Sequence, residues 1–319
     1  MSPWSPLSLA ATSVLQVLAV LIGGPLLVGL MRKVRCRLEG RTGPPIHQVL
    51  LDLRKLAVKE RTRPEGASVV FTLAPVVLVA STLVVAAIAP LVATGPGLGW
   101  SADLFAVVFL LLLGSVAIAL GGLDTGTAFG GMGASRAMTI GALAEPALLL
   151  AVLALSVPAR TSNLPVIMTR ALGHPAWLAT PQRLLALGAF VIVIVAESGR
   201  LPVDNPSTHL ELTMVHEAMV LEYAGPDLAL VKLGESMRLA VLMALLADLF
   251  IPWGMATAPG PGHMALGLLA VAGKVTVLGV GLAVFEMGMA KLRLFRVPEL
   301  LSGAFVLSVL AVISALVVA

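Results

Sequence analysis

Residues 184–225 read LLALGAFVIVIVAESGRLPVDNPSTHLELTMVHEAMVLEYAG. An uncharged run, Leu184–Ala196, passes into a segment carrying Glu197, Asp204, Glu211, Glu217 and Glu222, with Arg200 as its one positive charge. The first half is greasy enough for lipid, and the second gathers carboxylates. The chain as a whole explains the first half. It has 319 residues, 58% hydrophobic and 12% charged. A soluble domain cannot hide that much apolar surface, so lipid must solvate part of it.

Apolar runs near the roughly 20 residues that cross a bilayer recur about eight times, at Leu7–Met31, Ser68–Val92, Ala102–Gly122, Ala137–Val157, Leu184–Ala196, Leu233–Met255, Met264–Phe285 and Leu300–Ala319. Backbone groups in lipid must be satisfied internally, so these runs are helices, and the lack of period-two alternation argues against a barrel. The expected fold is all-α: a single polytopic membrane domain over residues 1–319, with about eight transmembrane helices, an interfacial amphipathic helix and a cytoplasmic helical loop. Cys36 is the one cysteine, which excludes an internal disulfide and a cysteine-held cluster within this chain.

Lysine and arginine bias sets orientation. The 32–67 segment holds ten of them, from Arg32 to Arg63, and the 286–299 segment adds Lys291, Arg293 and Arg296. Both basic segments, and the acidic 197–232 segment, are therefore expected in the cytoplasm, with both termini outside. Arg160, Arg170 and Arg183 fall on the other side under this scheme and run against it. Within the first basic segment, HQVLLDLRKLAVKE (His47–Glu60) places Val49, Leu50, Leu53, Leu56 and Ala57 on one helical face, the pattern of a helix lying in the interface.

The acidic segment divides at Pro202 and Pro206, and Asn205, Ser207 or Thr208 can cap a new helix. The following HLELTMVHEAMVLEY (His209–Tyr223) reads as that helix, with Glu211 and Glu222 on one face. Its apolar residues are too many for a free surface helix, so the acids are expected partly buried. Crowded, partly buried carboxylates gain protons more readily and can exchange them near neutral pH. Inside the spans, ionisable residues are costly and tend to serve function. Lys274 lies mid-span with flanks too long for easy escape to either surface, and Glu145 precedes Pro146 in the fourth span. Glu235 has Lys232 and Arg238 within three residues, so a local ion pair competes with a functional role. Asp248 reads as an acid near the membrane surface. The glycine-rich GGLDTGTAFGGMGASRAM (Gly121–Met138) lacks the lysine ending of a phosphate loop, and Asp124 and Arg136 could pair across it.

These residues carry a family likeness. Glu197, Arg200, Pro202, Asp204, Pro206, Glu211, Glu222, Tyr223 and Gly225 form a segment that resembles, residue by residue, the acidic loop of the NADH dehydrogenase subunit 1 family of complex I. EGRTGPP (Glu39–Pro45) and GASRAM followed by Glu145 resemble the same family. GLDTGTAFGGMGASR, THLELTMVHEAM and KLRLFRVPELL are similar to the branch of formate hydrogenlyase and energy-converting [NiFe] hydrogenases. Pro44-Pro45 leading through Ile46 to His47 departs from the longer motif of the quinone-reducing relatives, and Lys274 fits the hydrogenase-like branch.

The resemblance implies a non-catalytic, multi-pass subunit in a prokaryotic inner (plasma) membrane, part of an oxidoreductase complex in electron transport. It would dock the electron-transfer module and carry part of a proton-translocation path through Glu145, Glu197, Asp204, Glu211, Glu217, Glu222, Glu235 and Lys274, with Arg200 pairing one of the clustered acids. The chain itself would hold no cofactor or metal. A Ni-Fe centre and Fe-S clusters are expected in partners: hydrogenase-type large and small subunits, a ferredoxin-like Fe-S subunit and antiporter-like membrane subunits. Nucleic acid is not an expected partner. The alternatives are a quinone-site subunit of a respiratory NADH:quinone-type dehydrogenase, a structural membrane anchor, and a free-standing transporter, for which the two halves show no repeat.

Overall fold

The structure, a computed structural model, describes residues 5–174, 179–204, 215–290, 292 and 296–318. Among these, every named element is helical: α1 (Pro6–Leu38), α2 (Gln48–Val58), α3 (Val69–Ile88), α4 (Leu104–Asp124), α5 (Ala128–Ala159), α6 (Leu164–Gly173), α7 (Pro181–Glu197), α8 (His216–Val220), α9 (Gly225–Phe250), α10 (Pro261–Gly288) and α11 (Val297–Val318), besides a short 3-10 turn. Short polar residues start them. The side chains of Ser5, Ser68, Asp103, Thr127 and Asn163 each accept a backbone N–H in the first turn that follows.

Six described helices are long and apolar enough to cross a membrane: α1, α3, α4, α5, α10 and α11. Helices also occupy the fifth and sixth expected spans, but they differ in kind, so the expected eight is not reached on this measure. α7 has 17 residues, at the lower limit for spanning. α9 is long enough at 26 residues but carries Asp227, Lys232, Glu235, Arg238 and Asp248. Its surroundings explain how it tolerates them. α9 packs on α1, α2, α3, α7 and α10, and every residue from Ser236 to Leu249 is buried. Protein, not lipid, surrounds these charges. The outer helices behave oppositely. Leu266, Leu269 and Val277 on α10, and Val306, Ile313 and Leu316 on α11, are exposed apolar side chains of the kind lipid solvates.

The basic and acidic segments gather at one end of the bundle, here the loop end. Arg35 from the end of α1 meets Glu286 from the end of α10, and Arg61 meets Asp227 at the start of α9. Leu292 N donates to Pro202 O at 2.9 Å, joining the last segment to the acidic one. At the opposite end, α3 stops at Ile88 and the chain runs irregularly to Asp103. Buried Gln16 of α1 satisfies that backbone, donating to Ala86 O and Ala89 O at 3.3 and 3.1 Å and accepting from Leu91 N and Val92 N at 3.0 and 2.9 Å. Irregular backbone at such depth persists where protein supplies the missing bonds. Arg170 donates to Ala159 O at the end of α5 and Arg183 is buried. Two of the arginines that run against the charge bias thus have places within the bundle.

The 47–60 segment forms an amphipathic helix, α2, but part of its expected face departs. Val49 is buried, Leu53 and Leu56 face inward, Ala57 of that face is exposed, and Arg54, Lys55 and Lys59 are exposed. α2 lies across α9 and α1, so its apolar face covers protein. One close approach lets the chain fold back into α2. A Cβ on Gly29 of α1 would collide with the carbonyl group of Ile46, which is backbone and cannot swing aside. Gly29→Ala is therefore expected to destabilise by about 1–3 kcal/mol, the cost of overpacking, read as a lower thermal midpoint of the detergent-purified protein, whereas Gly23→Ala, which meets open space, should change little.

Candidate functional site

A cavity of about 450 Å³ lies at the loop end, beneath α2. Val28 and Met31 of α1, Val49, Leu53 and Leu56 of α2, and Leu239 and Leu242 of α9 form its apolar walls. Its polar lining includes Arg32, Arg35, Asp52, Glu197, Arg200, Asp204, His216, Glu217, Lys232, Glu235, Arg238 and Glu286. Most of the carboxylates that stood out in the sequence therefore converge on one chamber, but in pairings the sequence order does not suggest.

Glu197, the last residue of α7, pairs with Arg238 on α9, and both side chains are nearly buried. Glu145 on α5 is buried, its Oε1 without a hydrogen-bond partner among the described residues. Glu197 and Arg238 are the charged groups that act on it. Arg238 is in contact with Glu197, and Glu145 feels both charges without touching the guanidinium through its open Oε1. Glu235 of α9 takes His216 Nε2 at 2.7 Å and Lys232 at 3.5 Å, and Lys232 also reaches Glu217 at 2.7 Å. The expected local pair of Glu235 is therefore found with Lys232, while Arg238 turns to α7.

Arg200 requires a correction. Among the described residues its ion pair is with Glu286 of α10, at 3.0 Å. Glu286 is buried, and Arg35 holds its other carboxylate oxygen. Neither Glu286 nor Arg35 stood out in the sequence. Glu286 sits at the end of an apolar run, where an acid looks merely interfacial, and no local spacing links it to Arg200. Asp204 is buried, and its Oδ2 accepts from Val215 N and His216 N at 3.2 and 3.1 Å. It fixes the start of α8. Asp124 likewise caps α3, accepting from Ser68 N and Ser68 Oγ at 2.7 Å and from Phe71 N at 3.2 Å. Among the described residues it forms no ion pair with Arg136, a half-buried residue of α5.

The helix expected over His209–Tyr223 is described from His216 to Val220. Glu211 and His209 lie outside the described residues. The chain turns after Val220, reaches a positive φ of 55° at Gly225, and leaves Glu222 exposed, outside the chamber. Tyr223 turns inward instead, stacked on Phe71 with ring centroids 4.1 Å apart, its hydroxyl donating to Phe71 O at 3.1 Å. At the other end of the bundle, Lys274 does not stand alone. Its ammonium donates to Asp248 Oδ1 at 2.6 Å and to Ile251 O at 2.8 Å. Asp248, expected near the membrane surface, is fully buried.

With this geometry in hand, comparison with known proteins decides the family. The family described as NADH dehydrogenase matches residues 11–319. The chain belongs to this family. This NADH dehydrogenase family member is 34% identical over 297 residues to hydrogenase-4 component C of Escherichia coli K12, covering 93% of this chain and 92% of that protein. It is 33% identical over 302 residues to formate hydrogenlyase subunit 4 of the same organism, covering 95% and 97%. An NADH-quinone oxidoreductase subunit of Syntrophobacter fumaroxidans is 33% identical over 256 residues, with 74% of each chain covered. A chain of the membrane-bound sulfane sulfur reductase, an archaeal respiratory membrane complex, shares the fold, with a TM-score of 0.81 at 20% identity over 96% of this chain and 98% of that one.

The electrostatics of the chamber are testable. Removing one partner of a buried ion pair costs about 3–5 kcal/mol, because the other charge stays behind. Glu286→Ala strands two arginines at once and should lower the thermal midpoint sharply, whereas Glu39→Ala, whose pair with Arg41 is exposed, should barely move it. His216 carries a pH signal. Burial by itself lowers its pKa, but the adjoining Glu235 carboxylate outweighs burial and the net value lies above the ordinary 6.5. The protonated His216–Glu235 contact therefore stabilises the fold fully below about pH 6.5, the unperturbed value. That contribution is lost as pH rises through the elevated folded-state pKa. A thermal midpoint measured against pH should fall as pH rises above about 6.5, and His216→Gln should flatten that part of the profile.

Proposed function

We propose that this chain is the membrane subunit of a formate hydrogenlyase-like, energy-converting hydrogenase complex. The observation that carries this reading is the near full-length likeness to two hydrogenase-type relatives, 93% and 95% of the chain, against 74% for the NADH-quinone oxidoreductase relative. In this reading the loop end faces the cytoplasm and docks the peripheral module. The module comprises hydrogenase-type large and small subunits with a ferredoxin-like Fe-S subunit, and antiporter-like subunits adjoin the chain in the membrane. The Ni-Fe centre and Fe-S clusters that carry the redox chemistry belong to those partners.

The role of this chain is to handle protons. Glu217, Glu235, His216 and Lys232 hold charge at the chamber wall, where a change in a docked module is felt at short range in a medium of low dielectric. Deeper in the bundle Arg238 pairs with Glu197, and Glu145 lies within the field of both. A proton entering the chamber can rest on Glu145, whose Oε1 has no other partner among the described residues, and leave when the balance around Arg238 changes. Arg200, Arg35 and Glu286 tie α1, the acidic segment and α10 into one floor, and Asp204 holds α8 in place beneath it. Buried ionisable groups of this kind mark proton pathways in membrane proteins.

The test starts from the complex purified with its native partners under mild detergent, with nickel and iron measured per complex. Nickel with abundant iron is the expected result. Iron without nickel, accompanied by bound quinone, would place the chain in a quinone-reducing dehydrogenase, and neither metal in an intact partnerless preparation would overturn the proposal. In proteoliposomes, Glu145→Gln, which keeps shape while removing the titratable site, should bring the number of protons translocated per hydrogen turned over to near zero. An unchanged ratio would remove Glu145 from the path.

A further inference from the structure

We propose that Asp248 and Lys274 form a proton-holding pair at the end of the bundle opposite the chamber, with Asp248 Oδ2 as the site where an arriving proton lands. The inference rests on the proton-handling role above but on different residues and a different region of the fold. Lys274 lies near the middle of α10, and its ammonium reaches the end of α9, donating to Asp248 Oδ1 at 2.6 Å and to Ile251 O at 2.8 Å. The Ile251 carbonyl is held firmly. α9 ends there because Pro252 cannot continue it, and the chain beyond is tied to the irregular segment after α3 by Ala256 N to Val92 O and Thr94 N to Ala256 O, both 3.0 Å.

The pair is asymmetric. The Asp248 side chain is 0% exposed and that of Lys274 16%. Asp248 Oδ2 is buried with no hydrogen-bond partner among the described residues, and among those residues Lys274 is the charged group that acts on it. An ion pair serving structure alone satisfies both carboxylate oxygens, because an unmet buried acceptor is costly. Here one oxygen is left open beside a lysine whose side chain stays 16% exposed.

The open oxygen gives the pair a third protonation state. An incoming proton forms an O–H bond at Asp248 Oδ2, and the pair, formerly neutral overall, carries one positive charge. Lys274 then breaks one N–H bond and releases that proton toward the exposed side. The resulting neutral amine accepts the Asp248 proton, which re-forms the ammonium and the carboxylate. One proton enters and one leaves, with no change in oxidation state.

Two measurements on the complex with its native partners test this. Dicyclohexylcarbodiimide, an apolar reagent that modifies protonated carboxyls, should label Asp248 in the parent during turnover, when the arriving proton occupies it, read by peptide mass spectrometry. Lys274→Met, which removes the ammonium that keeps the carboxylate ionised, should raise the labelling and show that the reagent reaches the site. Label on Asp248 in Lys274→Met but none in the parent would overturn the proposal. In proteoliposomes, Asp248→Asn combined with Lys274→Met leaves no buried charge to unfold the bundle, and the ratio of protons translocated to hydrogen turned over should fall to near zero. A parent-like ratio in this double variant would likewise overturn it, while leaving the nickel content and the Glu145→Gln result, and with them the wider function, untouched.

Discussion

A charge inside a wall of protein must be met within that wall, and the most charged helix of this bundle is also its most enclosed. From Ser236 to Leu249, α9 has no exposed residue. Its charged residues draw partners from all around: Arg61 to Asp227, Glu217 to Lys232, His216 to Glu235, Glu197 to Arg238, and Lys274 to Asp248. Each pair fixes another element against α9, so the electrostatics of one helix set the positions of α7, α8, α10 and the first basic segment. Buried pairs add little net stability over well-packed apolar residues, but losing half of one is costly. The arrangement specifies position more than it adds strength.

The chamber follows from the same constraint. Where α1, α2, α7 and α9 meet, a cavity of about 450 Å³ remains, with Val49, Leu53 and Leu56 of α2 among its apolar walls and the paired charges among its polar ones. The floor is closed by Glu286 between Arg35 and Arg200, which brings three distant parts of the chain together. A change in charge at this wall has short routes inward, because Glu197, Arg238 and Glu145 continue from it toward the middle of the bundle. The proposed coupling depends on that continuity rather than on any single acid.

Much of the fold was legible in the sequence. Hydropathy located the long helices, and the spacing of Val49, Leu53 and Leu56 identified α2 as amphipathic, though not that its apolar face would cover protein. The motif around Glu197–Gly225 pointed to the NADH dehydrogenase subunit 1 family. The candidate site was legible in its residue types and largely illegible in its contacts. Glu197, Asp204, Glu217 and Glu235 were picked out and do converge on the chamber, yet Arg200 went to an acid 86 residues away. Glu222 belongs by motif to the acidic segment and lies outside the chamber, since the turn before Gly225 points Tyr223 inward and leaves Glu222 at the surface. Asp248 looked like a surface acid because its neighbours suggest the end of a span. Its burial comes from how α9 is surrounded.

Read alone, the sequence establishes a multi-pass, all-helical membrane protein of the NADH dehydrogenase family. Hydropathy and capping are local properties that a short window of residues carries whatever the rest of the chain does. Which charge meets which was settled only when the helices packed. Arg35 and Glu286 are 251 residues apart, and whether they touch depends on how α1 and α10 pack and on where each helix ends. Coulomb attraction weakens with distance, and the hydrogen bond that goes with it needs contact, so small differences in packing select one partner from several of equal formal charge.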